Sequence, residues 1–130
     1  MEIITPVSER ERENRRVTPE LFRSITDSNG RVIGYLSIDS TIQNTCGGGV
    51  RIVPAMSPFE LCSLARTMTL KYAFLGLPLG GAKAAIITGS EDLSPQQRKE
   101  RIRNFADWIK SLHCNYLPGK DIGVNEDEYR

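Results

Sequence analysis

The sequence predicts an α/β domain of three layers (α/β/α), in which helices cover both faces of a mostly parallel sheet. After residue 47 the apolar patterns follow the order β–α–β–α–β, and strands that are joined through a helix run parallel. Both helix patterns begin at a Ser-Pro pair, which caps a helix and places proline at its first position. A chain of 130 residues is long enough to bury the core of one such domain.

The composition is that of an ordinary globular protein, with 39% hydrophobic and 25% charged residues. The formal net charge of +1 gives no electrostatic support for binding nucleic acid. No apolar run approaches the roughly 20 residues that span a membrane, and the N-terminus lacks the pattern of a signal peptide. The odd set Cys46, Cys62 and Cys114, with a single histidine, predicts no metal site and favours a reducing, cytoplasmic location.

The first part of the chain predicts a charged leader followed by a hairpin. Residues 1–17 contain a mixed charge run without an apolar face, so we expect a flexible leader and a domain over residues 18–130. Two strand patterns, Leu21–Thr26 and Arg31–Thr41, flank the turn Asp27–Gly30, whose Asn-Gly pair is a strong hairpin signal. The segment Gly47–Val53 then predicts a glycine loop that leads into a third strand.

Two amphipathic helices separate the later strands. The first helix is expected to begin at Ser57 and to end near Gly76, because apolar residues recur between them at helical spacing. A strand from about Ala82 to Thr88 follows, and the second helix begins at Ser94. The segment Cys114–Gly123 predicts the last strand and its loop.

The segment Leu77–Thr88 carries the strongest functional signal. It places Lys83 between two glycines, which predict a tight turn with positive φ, and an apolar run that predicts a buried strand. A lysine at the mouth of a buried strand is costly to desolvate, and one held there suits polarising a carbonyl or activating water. The alternative is a strand-entry lysine whose ammonium group reaches solvent.

Lys71 and Asp121 are the other candidates for chemistry. Lys71 precedes Lys83 by twelve residues and lies about 20° from Leu64 around the first helix. The two ammonium groups could therefore hold one anion such as a carboxylate, although a solvent-reaching lysine fits Lys71 equally. Asp121 follows the last predicted strand, where ligands bind in open α/β sheets, and its alternative is an ordinary loop or capping aspartate.

Two nucleotide-binding motifs were compared with the glycine pattern. Gly76 and Gly81 have the spacing of a P-loop, but Lys83 comes one position too late for that motif. The sequence also contains no Gly-x-Gly-x-x-Gly, so none of its residues is assigned to a dinucleotide.

The chain resembles the N-terminal substrate domain of the glutamate/leucine/phenylalanine/valine dehydrogenase family over about residues 19–130. Four segments carry the resemblance, in order Gly48-Gly49-x-Arg51, Met68-Thr-Leu-Lys71-Tyr-Ala, Leu77-Pro-Leu-Gly-Gly-Ala-Lys83 and Asp121-Ile-Gly-Val. The resemblance implies NAD(P)-dependent oxidative deamination of an L-amino acid to a 2-oxo acid and ammonia. It also implies a homo-oligomer, and NAD or NADP bound by a separate domain that this chain lacks.

The same resemblance implies roles for the candidate residues. Lys71 would bind the substrate α-carboxylate, and Lys83 would be the catalytic lysine that activates water and stabilises charge at the α-carbon. Asp121 would move protons to and from the substrate nitrogen, while Gly48 and Gly49 would line the pocket.

One departure from the family pattern bears on the substrate. Glutamate-specific members typically carry a lysine just before the two matched glycines, and this chain has Gly47 there. The resemblance is therefore closer to leucine- and phenylalanine-type members, and we expect an apolar or aromatic substrate side chain rather than glutamate.

Two other interpretations stay open at this point, a non-catalytic stand-alone oligomerisation or binding module and a related α/β oxidoreductase acting on another carboxylate-bearing substrate. Asn125–Glu128 has the signature of a helix start just before the chain ends, so we expect a piece of a longer protein. Because hydride transfer needs a nicotinamide held at the substrate, the chain alone is expected to be inactive.

Overall fold

One five-stranded sheet organises the chain, and the computed structural model describes residues 19–89 and 93–120, without the side chains of residues 119–120. The leader proposed for residues 1–17, Asp121 and the helix start at Asn125–Glu128 lie outside the described residues. The strands and helices, numbered here in chain order, are β1 Leu21–Thr26, β2 Val32–Ile38, β3 Thr45–Val53, α1 Pro58–Phe74, β4 Gly80–Ile87, α2 Pro95–Ile109 and β5 Asn115–Lys120.

The sheet combines a parallel part with an antiparallel hairpin, in the strand order β1-β2-β4-β3-β5. Strand β3 pairs parallel with both β4 and β5, whereas β2 pairs antiparallel with β1 and β4. The predicted β–α–β–α–β order and the α/β class are confirmed. The hairpin adds its two strands to the same sheet beside β4, so β4 lies between β2 and β3.

The two helices pack on opposite faces of the sheet, which gives the predicted three layers. Side chains alternate between the faces of a strand, and on β4 alternate residues such as Ala84 and Ile86 join Phe105 of α2 in the apolar core. The other set on β4 includes Gly81, whose surroundings are Ala65 and Thr69 of α1. The core therefore lies mainly on the α2 face.

Local signals set the start of each helix as expected. The Ser57 hydroxyl accepts a hydrogen bond from the Glu60 N–H at 3.0 Å, and Pro58 begins α1. At α2 the reciprocal capping box of Ser94 and Gln97 is complete. Each serine satisfies a backbone donor that the first turn of a helix leaves without an intrahelical partner.

Two expectations about glycines were wrong. Gly47–Gly49 lie inside β3 rather than in a loop before it, and Gly80 and Gly81 lie inside β4 rather than in a turn. The described glycines with positive φ are Gly30, Gly76 and Gly89. Neighbouring backbone explains the difference, because a Cβ on Gly48 would overlap the Ala82 carbonyl and one on Gly80 would overlap Ser40. These glycines permit close packing and supply no turn.

Candidate functional site

Lys83 is the buried charged residue at the centre of the candidate site. It is the fourth residue of β4 and is 8% exposed, so it lies within the strand rather than at its mouth. It lies directly opposite Ser37 of β2, and such pairs share a face of the sheet. Ser37 contacts Cys62 of α1 through a hydrogen bond of 3.3 Å. Lys83 therefore belongs to the face that α1 covers.

Glycines of β3 border Lys83 on its other side. Val50 pairs with Ala84, which places Gly49 beside Lys83, and Gly47 pairs with Gly81 in the same register. A glycine contributes no side chain to the face of a sheet. Gly49 therefore adds no side chain next to Lys83 on this face of the sheet.

Tyr72 and Leu117 lie against Gly47. A Cβ on Gly47 would lie 3.3 Å from the Tyr72 hydroxyl and 3.4 Å from the Leu117 carbonyl oxygen. Gly48 contributes through its backbone, because its carbonyl accepts a hydrogen bond of 3.1 Å from the Tyr116 hydroxyl. The region around Gly47 is thus bounded by a phenol and an aliphatic side chain.

Lys71 lies in the last turn of α1 and is exposed. It follows the half-buried flank of the helix formed by Leu64 and Met68, which agrees with its expected position about 20° from Leu64. The next residue, Tyr72, reaches Gly47. Lys71 is therefore an accessible cation at the end of the helix that packs over Lys83.

A polar cluster that sequence reasoning missed joins these elements. The Gly81 N–H donates to Thr69 Oγ1 at 3.0 Å, and that hydroxyl donates to Asp39 Oδ2 at 2.6 Å. Arg66 lies 3.4 Å from the same carboxylate oxygen. No motif marks Asp39, and Thr69 lies inside the matched segment Met68–Ala73 without a role assigned to it. The available signals were an aspartate directly after an apolar strand and a threonine two residues before Lys71.

The titratable groups next to Gly47 are uncharged at neutral pH. Burial raises the pKa of the Cys46 thiol from 9.0 to about 12, with further contributions from Cys114 and Glu20. Burial, followed by the nearby Cys46, also raises the pKa of Tyr72. Neither group brings a negative charge to this region. Among the charged side chains named for the described part of the site, Asp39 and Arg66 contact each other, and the lysines are the ones that suit an anionic ligand.

Cavities on the opposite face of the sheet do not border the lysines. One of about 500 Å³ lies between β1 and the end of α2 and is lined by Arg23, Trp108 and His113 among others. A smaller apolar cavity of about 150 Å³ lies under α2 around Phe105. Within residues 19–89 and 93–120, no three His, Cys, Asp or Glu side chains are grouped to hold a metal ion. No helix of that described part is long and apolar enough to cross a membrane.

Solved structures share this architecture. L-tryptophan dehydrogenase from Nostoc punctiforme superposes with a TM-score of 0.72 at 23% identity, over 90% of this chain and 34% of that one. The hetero-hexameric glutamate dehydrogenase from Thermus thermophilus, in a leucine-bound form, gives a TM-score of 0.69 at 26% identity, over 88% of this chain and 32% of that one. These likenesses confirm the predicted fold of an amino-acid dehydrogenase N-terminal domain.

The sequence relatives are amino-acid dehydrogenases as well. NAD-specific glutamate dehydrogenase A from Halobacterium salinarum is 30% identical over 94 residues, which cover 71% of this chain and 22% of the relative. L-tryptophan dehydrogenase from Nostoc punctiforme is 26% identical over 106 residues, or 78% of this chain and 29% of the relative. The chain thus spans about a quarter of the length of these relatives. They include glutamate and tryptophan enzymes, so they do not single out a leucine or phenylalanine type.

The family model described as "Glu/Leu/Phe/Val dehydrogenase, dimerisation domain" matches residues 9–130. That match covers nearly the whole chain and includes all of the described strands and helices. This chain therefore belongs to the Glu/Leu/Phe/Val dehydrogenase family, within its dimerisation domain.

Proposed function

We propose that this chain is the substrate-binding and oligomerisation domain of a cytoplasmic NAD(P)-dependent L-amino-acid dehydrogenase, which interconverts an L-amino acid with a 2-oxo acid and ammonia. The observation that carries the proposal is Lys83, a lysine only 8% exposed on a strand whose neighbour is formed by glycines. Burial of an ammonium group is costly unless the group is paired and hydrogen-bonded.

Lys71 is assigned to the α-carboxylate of the substrate. Its exposed position at the end of α1 lets the ammonium group meet an incoming anion, and α1 packs against the strand that carries Lys83. An ammonium–carboxylate hydrogen bond is charge-assisted and roughly twice as strong as a neutral one. This contact would orient the α-carbon toward the sheet.

Lys83 is assigned to the chemistry at the α-carbon. In a site screened from bulk solvent, the Lys83 amine would hold and activate the one water molecule that adds to the imino carbon. It would also stabilise the charge that develops at that carbon. Asp121, which lies outside the described residues, would carry protons to and from the substrate nitrogen. The nicotinamide supplies hydride transfer when it is bound. No residue of this chain is assigned to holding it.

The substrate side chain is assigned to the region around Gly47. A glutamate side chain needs a cation there, and the groups that border Gly47 are the Tyr72 hydroxyl and Leu117. An aliphatic or aromatic side chain avoids leaving a buried carboxylate without a partner. We therefore propose a preference for leucine, valine or phenylalanine over glutamate.

The assignment of the lysines is tested by binding to the 130-residue chain. Titration with 4-methyl-2-oxopentanoate, followed by NMR, is expected to show binding that weakens about tenfold or more in Lys71→Ala and in Lys83→Ala, because each change removes one charge-assisted contact. Lys110→Ala serves as the matched control, since Lys110 is exposed at the end of α2. Unchanged affinity in both lysine variants would contradict the proposal.

The same titration tests the substrate class. Binding of 4-methyl-2-oxopentanoate or phenylpyruvate is expected to be tighter than binding of 2-oxoglutarate. If 2-oxoglutarate binds tightest, the argument from Gly47 is wrong, although the roles of Lys71 and Lys83 still stand.

A further inference from the structure

One hydrogen bond joins α1 and β4 at matching positions beside the two lysines. Thr69 precedes Lys71 by two residues on the helix, and Gly81 precedes Lys83 by two residues on the strand. The Gly81 N–H donates to Thr69 Oγ1 at 3.0 Å. The bond therefore fixes the helix to the strand immediately before both candidate site residues.

Asp39 directs the hydroxyl that makes this bond. A threonine hydroxyl has one proton and two acceptor positions, and in the short bond of 2.6 Å the Thr69 hydroxyl donates its proton toward Asp39 Oδ2. An acceptor position is then left for the Gly81 N–H. The Asp39 side chain is 3% exposed and also contacts Arg66. A carboxylate buried to this degree keeps its hydrogen bonds firmly, because losing one leaves a charge without compensation.

Asp39 also holds Gly81 from the side of β2. Its own N–H donates to the Gly81 carbonyl at 2.8 Å, so both backbone polar groups of Gly81 are bound by this pair of residues. A Cβ on Gly81 would overlap the backbone of Thr69 and Ala65. The helix thus lies directly on the strand, and little relative movement is possible at this point.

We propose that Asp39 and Thr69 are positioning residues, which set the placement of Lys83 relative to Lys71 by holding Gly81 between β2 and α1. This Asp39–Thr69–Gly81 clamp acts through backbone and touches no substrate. Its significance for the reaction rests on the proposed function. Its effect on Lys83, however, is measurable without any substrate.

Acetylation of lysine amines by acetic anhydride, read by mass spectrometry on the full chain, tests the clamp. Thr69→Val removes the hydroxyl and keeps the shape. We expect labelling of Lys83, relative to Lys110 in the same molecule, to rise about fivefold or more, because local opening exposes a side chain that is 8% exposed. Hydrogen exchange of the Gly81 N–H should accelerate as well. Thr69→Ser keeps the hydroxyl and should leave both readouts within about twofold of the parent.

Two matched variants separate positioning from general loosening. Thr67→Val removes a hydroxyl on the solvent side of the same helix, where it donates to the Ser63 carbonyl at 3.0 Å. Phe105→Leu weakens the core on the opposite face. Neither should change the labelling ratio of Lys83 below the unfolding transition.

Two outcomes would overturn the proposal. The first is that Thr69→Val accelerates hydrogen exchange of the Gly81 N–H but leaves the labelling of Lys83 unchanged. The second is that Phe105→Leu raises the labelling of Lys83 as much as Thr69→Val does. If Thr69→Val does not fold, Thr69→Ala replaces it under the same criteria, since alanine is the better helix former. Failure of the proposed function would appear separately, as unchanged 2-oxo acid binding in the two lysine variants.

Discussion

At the scale of single residues, the absence of side chains shapes this protein as much as their presence. Gly81 accommodates α1, and Gly48 accommodates the neighbouring Ala82 carbonyl. Gly47 accommodates the Tyr72 hydroxyl, which would lie 3.3 Å from a Cβ at that position. The one charged side chain of β4, Lys83, thus lies between Ser37 of β2 and Gly49 of β3.

Gly81→Ala is expected to be far more destabilising than Gly30→Ala. The Cβ on Gly81 would overlap the backbone of Thr69 and Ala65, and backbone cannot move aside as a flexible side chain does. We expect a loss of about 3 kcal/mol or more in the free energy of unfolding. Gly30 has φ of +81° and open space around its Cβ position, so its substitution costs about 1 kcal/mol of backbone strain.

Urea denaturation of the two glycine variants measures this difference. Equal losses for the two would show that α1 can move away from β4 without cost, which would also weaken the case for the clamp.

At the scale of elements, features that depend on residues close in the sequence could be predicted, and features that depend on distant residues could not. The caps at Ser57 and Ser94 and the turn Asp27–Gly30 depend on neighbours within four residues, and the structure has them as expected. Strand pairing depends on partners far along the chain, so no local sequence pattern indicates that β4 lies between β2 and β3. For the same reason, glycines that serve close packing were interpreted as turns.

The candidate site shows the same division. Sequence motifs identify Lys71 and Lys83, but they do not indicate which residues lie around the two lysines. Asp39 meets Thr69 across thirty residues of chain, and neither residue type is unusual at the end of a strand or within a helix. Only the packed structure brings the two together, so a polar cluster of this kind is invisible to reasoning from spacing.

Ser94→Ala tests how far the start of α2 depends on its cap. The Ser94 hydroxyl accepts from the Gln97 N–H at 3.2 Å, and the Gln97 side chain accepts from the Ser94 N–H at 2.8 Å. Loss of the serine is expected to lower the free energy of unfolding by about 1 kcal/mol. Hydrogen exchange should accelerate first in the opening turn of α2.

Ser111→Ala is the control for this cap. Ser111 lies just beyond the end of the same helix, and its hydroxyl donates to the Trp108 carbonyl in the last turn, so exchange in the first turn should not change. Faster exchange there in both variants would contradict the local role of the cap.

At the scale of the whole molecule, the two faces of the sheet carry different kinds of side chains. The α2 face holds most of the buried apolar side chains, among them Leu36, Val50 and Phe105. The α1 face holds Lys83, Ser37 and the positions of Gly47 and Gly49. Burial on one face can therefore stabilise the fold while the other keeps polar groups in fixed places. The neutral, buried Cys46 belongs to the stabilising side of this division.

Stability is consequently expected to fall as the pH rises above about 9. The pKa of Cys46 is about 12 in the folded protein and 9.0 when the thiol is unperturbed. Between these values the unfolded chain releases a proton that the folded chain keeps, so unfolding becomes more favourable as pH increases. The raised pKa of Tyr72 acts in the same direction. At pH 10 the loss from Cys46 is about 1 kcal/mol.

Urea unfolding of the parent chain and of Cys46→Ala, both under reducing conditions, isolates this contribution. The difference in free energy of unfolding between them should be constant from pH 6 to pH 8, where the thiol is protonated in both states. It should then shrink by about 1 kcal/mol at pH 10, because only the parent has a buried proton to lose on unfolding. A difference that stays constant through pH 10 would mean that Cys46 opens to solvent in the native state. That result would place β3, and the glycines that follow Cys46, outside the rigid core on which the candidate site depends.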